Sequence, residues 1–246
     1  MSAIIEEWVR RGAKITSQHD RIQFAAAMEY IEKISFSQIR TLADIGAGPG
    51  HQSFVFHSLG VDVTCVDFVA PLYKNLRWVA PDQVTGLVFD ALWSHHCLEH
   101  IPNPINALTE WRKLLVDDGR LFLTVPEIGL TMSTGHINNF NLPLLVYSLA
   151  IAGFDCSEKR FIKSRSHLRA SVRKARNYAP EIEGHISDLR ELAARKLFSP
   201  SVTRAIEERG RFSARDMHLD WFGKLAGPNP MAEEAYSFVT ANIWNF

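Results

Sequence analysis

The texture of polar and apolar positions changes at Thr41. Before it, Ile22, Ala25, Ala26, Tyr30 and Ile34 recur at helical spacing and predict the second of two helices within residues 1–36. After it, short apolar runs alternate with helix-like stretches: a strand over 41–45, a helix to about 59, a strand over 61–66, a further helix, a strand over 88–93, a helix over 103–116 and a strand over 120–125. Strands that are apolar on both faces and alternate with helices predict a mostly parallel sheet covered on both sides, the doubly wound, Rossmann-like α/β class.

Residues 154–162 read as one more strand, closing a core over 41–162. Residues 163–228 are charged and helical in pattern, broken by Pro180, Pro200 and Gly210. They are expected to form a helical insertion that closes over the sheet edge as a lid. Residues 235–246 alternate like a strand and are expected to return to the sheet, with a C-terminal helix as the alternative. The whole, 1–246, reads as a single domain with N-terminal helices and an insertion before the last strand.

Composition narrows the function classes. The 246 residues carry 27 Lys+Arg against 27 Asp+Glu, and 46% are hydrophobic, which excludes disordered and collagen-like readings. Zero formal net charge argues against nucleic acid or an anionic membrane as a partner recognised through the overall field. Cys65, Cys97 and Cys156 are too sparse for a disulfide framework or a C-x-x-C site. The first residues lack a basic, apolar leader, and the longest apolar stretch, 142–154, is interrupted and too short to span a bilayer. A soluble, unprocessed, cytoplasmic protein is expected.

Candidate chemistry begins where the first strand ends. Asp44, Gly46, Gly48 and Gly50 form a loop that lets the backbone turn sharply and approach a ligand, with a helix start behind it. Asp67 ends the next apolar strand, 23 positions after Asp44, where a carboxylate can accept both ribose hydroxyls of a nucleoside. The spacing departs from the dinucleotide fingerprint, and an acid two residues before the first glycine suits an ammonium better than a pyrophosphate. A nicotinamide-dependent oxidoreductase is therefore the disfavoured alternative.

At this point the sequence resembles the class I S-adenosylmethionine (SAM) dependent methyltransferases of small-molecule type. Their acid-G-x-G-x-G motif is matched at 44–50, their fourth-strand motif at 89–101 with its Leu98-Glu99-His100 ending, and their fifth strand at 118–126, where Asp118 replaces the usual first glycine. The resemblance implies SAM as cofactor, with Asp44, Gly46, Gly48 and Gly50 on its methionine part, Asp67 on the ribose and Phe68 on one face of the adenine; Phe68 as a core aromatic is the alternative. Ser94 and His95 join this set at the sheet's carboxyl edge. Contacts to the adenine within 68–88 are not legible, because that stretch is short and Asp82 stands beside Pro81.

The expected acceptor is a small molecule methylated at a hydroxyl, a sugar or related metabolite. His96 and His136 are the candidate bases for its proton, with packing or capping as the alternative for each and for His95 and His100. Glu99 is expected either to orient His136 or to cap the following helix. His96, Glu99 and His100 also fit H-x-x-E-H, a zinc hydrolase motif, but Pro102 and Pro104 leave hardly one helical turn, and no bound metal is expected. Arg165, Arg169, Arg173 and Arg176 fall on one face if that segment is helical, either holding a phosphate or carboxylate of the acceptor or forming a solvated face. A catalytically silent scaffold with the same fold is the alternative to an enzyme, and the complete Asp44, glycine and Asp67 set argues against it.

Overall fold

A computed structural model describes residues 3–129, 135–158, 160–164 and 167–217. The N-terminal pair is α1 (Ala3–Arg10) and α2 (Gln18–Ile31), the latter capped by Ser17, whose hydroxyl accepts from the Asp20 N–H. The core then runs β1 (Thr41–Ile45), α3 (His51–Ser58), β2 (Asp62–Val66), β3 (Arg77–Val79), β4 (Phe89–His95), α4 (Pro104–Lys113), β5 (Leu115–Pro126), α5 (Leu142–Ile151) and β6 (Phe154–Asp155). It continues with β7 (Phe161–Ser164), β8 (His167–Lys174), α6 (Pro180–Glu183), α7 (Leu189–Ala194) and α8 (Pro200–Arg209). No described helix is long and apolar enough to cross a membrane.

The sheet order is β3-β2-β1-β4-β5-β8-β6, with β7 paired to β8. β1 to β5 are parallel, so their carboxyl ends share one edge; β8 and the strands paired to it are antiparallel. One face of the sheet packs Leu42, Val63, Ala91, Trp93 and Phe122 under α1, α2 and α3. The other packs Leu92, Leu121 and Leu123 under α4, α5 and the C-terminal helices. Arg112 fastens that second layer from within: it donates to the carbonyls of Gly153, Ala175 and Tyr178 and pairs with Glu181.

Three expectations are corrected. The helix expected between the second and third strands is absent; that stretch holds only β3 and a single 3-10 turn over Pro81–Gln83. The strand expected over 154–162 divides into β6 and β7. The basic run expected on a helix within 163–228 lies largely on β8, and the described helices of that segment come after it. In β8 Leu168, Ala170 and Val172 are buried in the core and alternate with Arg169, Ser171 and Arg173, a period of two that the four-residue spacing of the arginines masks. β8 also holds the antiparallel place beside β5. The final strand expected at 235–246 lies outside the described residues.

Candidate functional site

The carboxyl ends of β1, β2 and β4 open onto a cleft of about 860 Å³. Gly46, Asp67, Phe68, His96 and Cys97 line it at the sheet edge, and Val84, Leu87, Trp111 and Leu114 give it an apolar wall. Of the three loop glycines only Gly46 lines the cleft; Gly50, at φ +82, differs from expectation, since a Cβ there would lie 2.7 Å from the Pro71 Cβ and it serves packing. Gly46 sits at φ +76, and a Cβ there would lie 2.6 Å from the Cβ and Sγ of Cys97, so any side chain would collide with the cleft wall. Gly48, at φ +51, faces space where a Cβ would meet nothing within 4 Å.

Asp67 lines the cleft as its position at the end of β2 demands. Its Oδ2 accepts the Gly48 N–H at 2.8 Å and its Oδ1 the Val69 N–H at 3.2 Å, which lock the carboxylate across the glycine loop. Phe68 beside it is 86% exposed, a large ring with no packing of its own, so the core-aromatic alternative fails. Asp44 differs from expectation. It is 1% exposed and does not line the cleft; Ser53 Oγ donates to its Oδ2 at 2.5 Å. Burial pushes its pKa up to about 7, against the Ser53 hydrogen bond and with the Asp67 charge adding to the rise. Any effect on a ligand's ammonium passes through this buried carboxyl's charge rather than direct contact.

At the end of β4, Ser94 is fully buried and His95 packs at 6.0 Å and nearly parallel to the Trp93 ring, on the α2 side. Neither lines the cleft. Burial holds the His95 imidazole well below its ordinary pKa, with His96 and His167 adding, and burial holds His167 at about 3. Both are neutral rings at pH 7.

His96 turns out of the strand at φ +55 and lines the cleft. Its Nδ1 lies 2.9 Å from Oε1 of Glu99, whose side chain is completely buried. A carboxylate only accepts, so Nδ1 carries a proton toward Glu99; Nε2 is buried, without a hydrogen-bond partner among the described residues, and the ring packs against those of His95 and His167. Sequence reasoning missed this pairing: Glu99 orients His96, not His136, and it does not cap α4, whose cap is Asn103. A 3-10 turn over Leu98–His100 makes the pair, and its three-residue spacing in the sequence was the available signal. The zinc-helix reading of His96, Glu99 and His100 needs both imidazoles on one α-helix, and one 3-10 turn does not provide it. The His136 ring lies 4.9 Å from that of His100, and His136 does not line the cleft.

The arginine row does not reach this cleft. Arg169 is buried against α2, donating to the Ala26 carbonyl and Glu29, Arg173 pairs with Glu158, and Arg176 pairs with Asp118. Arg173 stands opposite Arg120, toward the amino end of the sheet and away from the cleft. Arg165 lies outside the described residues.

The model of a family described as a methyltransferase domain matches residues 13–196. No curated protein matches the chain. Among solved structures, 1,6-didemethyltoxoflavin-N1-methyltransferase of Burkholderia thailandensis, with S-adenosylhomocysteine bound, is similar at 22% identity and TM-score 0.50, over 68% of this chain and 81% of its own. A SAM-dependent methyltransferase of Archaeoglobus fulgidus is similar at 14% identity and TM-score 0.51, over 68% and 99%. An O-methyltransferase family protein of Burkholderia thailandensis gives 12% identity and TM-score 0.52, over 64% and 58%.

Proposed function

The chain belongs to the class I SAM-dependent methyltransferases, and from that premise we propose that it methylates a hydroxyl of a small molecule, a sugar or related metabolite. SAM, when bound, supplies an electrophilic methyl group on a sulfonium. The chain's own residues supply the rest. Asp67, already fixed by two backbone N–H groups, has lone pairs left for the ribose hydroxyls. Phe68 offers its exposed face to the adenine, with Val84 and Leu87 on the wall beyond, the part of 68–88 that the sequence left unread. The open space before Gly48 receives the methionine part.

The observation that carries the acceptor class is the His96–Glu99 pair. In this proposal Glu99 holds the ring in the tautomer whose Nε2 accepts and stabilises the imidazolium as the proton arrives; Nε2 is buried in the structure, so the step requires acceptor binding to open that atom to the cleft. A hydroxyl needs that help because its oxygen is a poor nucleophile until the proton leaves, whereas a nitrogen acceptor with a free lone pair does not. We keep His136 outside this step, since Glu99 faces His96.

Methyl transfer from radiolabelled SAM to a panel of sugars and polyols tests the reading. His96→Ala is expected to lower kcat by about 10²–10⁴-fold, the usual worth of a positioned base, while binding of S-adenosylhomocysteine stays within about twofold. Unchanged turnover in His96→Ala, or methylation confined to nitrogen acceptors, would overturn it.

A further inference from the structure

Glu99, the partner of His96, also belongs to a second cluster, with His100 and His136. Glu99, His100 and His136 each offer a ligand atom, and these atoms all lie within 4.8 Å of one another. Glu99 is completely buried, and its Oε2 has no hydrogen-bond partner among the described residues. A buried carboxylate oxygen left bare is costly unless something meets it, so an orphan of this kind calls for a partner.

His100 approaches the same carboxylate. Its Nδ1 lies 2.8 Å from the Gly135 carbonyl, which can only accept, so Nδ1 carries the proton and Nε2 is bare. That Nε2 stands 4.0 Å from Glu99 Oε1. An imidazole fixed through Nδ1 by a backbone carbonyl, with Nε2 free toward a carboxylate, is the outer-shell arrangement that metal-binding histidines use. The carboxylate is itself held by His96 through its other oxygen. His136 completes the third corner, its ring 4.9 Å from that of His100.

We infer that Glu99, His100 and His136 bind one divalent transition-metal ion of the zinc class at the edge of the cofactor cleft. Two imidazoles and one carboxylate suit Zn²⁺, Co²⁺ or Mn²⁺ better than Ca²⁺ or Mg²⁺, which favour all-oxygen sets. Bond lengths of about 2.1 Å place ligand atoms about 3.0–3.4 Å apart, so the cluster closes by roughly 1.5 Å on binding. His100 is exposed and His136 half-exposed, and rotation of those two rings supplies the movement while Glu99 stays fixed.

Three protein ligands leave coordination positions open, and His96 and His100 both line the cleft. The role of the ion rests on the hydroxyl-acceptor reading. When bound, the ion would be held by Glu99, His100 and His136 and would supply Lewis acidity toward an acceptor hydroxyl at the cleft edge.

The test uses the full chain stripped with chelator and titrated with Zn²⁺ by calorimetry and with Co²⁺ by visible absorption, each with and without saturating S-adenosylhomocysteine. One ion per chain is expected, with the intense ligand-field bands of a low-symmetry Co²⁺ site. His136→Ala and His100→Ala, both at accessible positions that should leave folding intact, are each expected to weaken Zn²⁺ by at least about 10–100-fold, and Glu99→Gln by as much or more. No stoichiometric ion in the wild type, or wild-type affinity in both histidine variants, would overturn the site. A chain that binds S-adenosylhomocysteine but takes up no stoichiometric ion would sink the metal site and leave the methyltransferase reading standing. Ion binding that depends on these residues, with no turnover of any hydroxyl acceptor, would keep the site and remove the role given to it.

Discussion

Asp44 allows the sign and size of a pH effect to be worked from the structure. Its carboxyl is sealed under the glycine loop, and burial lifts its pKa from 3.8 to about 7, with the Ser53 hydroxyl opposing. Because the folded pKa lies above the unfolded one, the folded state keeps a proton that the unfolded chain releases. The stability this confers is fully present below about pH 4 and is lost as pH rises through 7. The slope is about 1.4 kcal/mol per pH unit for one proton, or about 4 kcal/mol across the interval as an upper figure. Asp44→Asn preserves the shape and still accepts the Ser53 O–H, but it cannot ionise. Urea denaturation of both proteins from pH 4 to pH 7.5 reads the difference, which cancels the contributions of His95 and His167. Those buried rings titrate with the opposite sign, losing stability as pH falls below about 6.5. Relative to wild type, the variant should gain about 2–4 kcal/mol between the two ends. A difference constant to within about 0.5 kcal/mol would refute the claim that Asp44 is buried and protonated there.

Phe68→Ala should weaken S-adenosylhomocysteine binding by about fivefold, the worth of one aromatic face at about 1 kcal/mol, with no change in melting temperature because the ring is exposed. Calorimetry with a thermal melt checks both halves. Gly46→Ala forces a Cβ into Cys97 at positive φ and should cost about 2–4 kcal/mol while abolishing cofactor binding; a soluble variant with wild-type affinity would contradict the glycine argument. Arg112→Met removes the donor to three buried carbonyls and leaves Glu181 unpaired, so the urea midpoint should fall by the equivalent of about 3–5 kcal/mol.

What the sequence made legible was local. The acid-glycine loop and Asp67 sit at strand ends that periodicity predicts, because a strand buried on both faces is apolar throughout and stops where the polar motif begins. Glu99 was visible as a residue but not as a partner of His96, since the turn that brings them together is three residues long and leaves no periodic trace. Asp44 was read as a ligand contact because sequence cannot say that Ser53, one turn into α3, closes over it. The arginines of β8 misled for a different reason: spacings of four satisfy both a helix face and every second position on a strand, and only the apolar residues between them decide. Their pairing with Glu29, Glu158 and Asp118 is a matter of tertiary placement alone.

The most direct test of the central claim is calorimetric titration of the purified chain with S-adenosylhomocysteine, with NAD(H) as control and Asp67→Ala as the site variant. The account predicts one site with a dissociation constant on the order of micromolar, no binding of NAD(H), and a loss of at least about tenfold in the variant, the cost of two charge-assisted hydrogen bonds to ribose. Absence of heat with S-adenosylhomocysteine, or binding untouched by Asp67→Ala, would contradict the placement of the cofactor in this cleft.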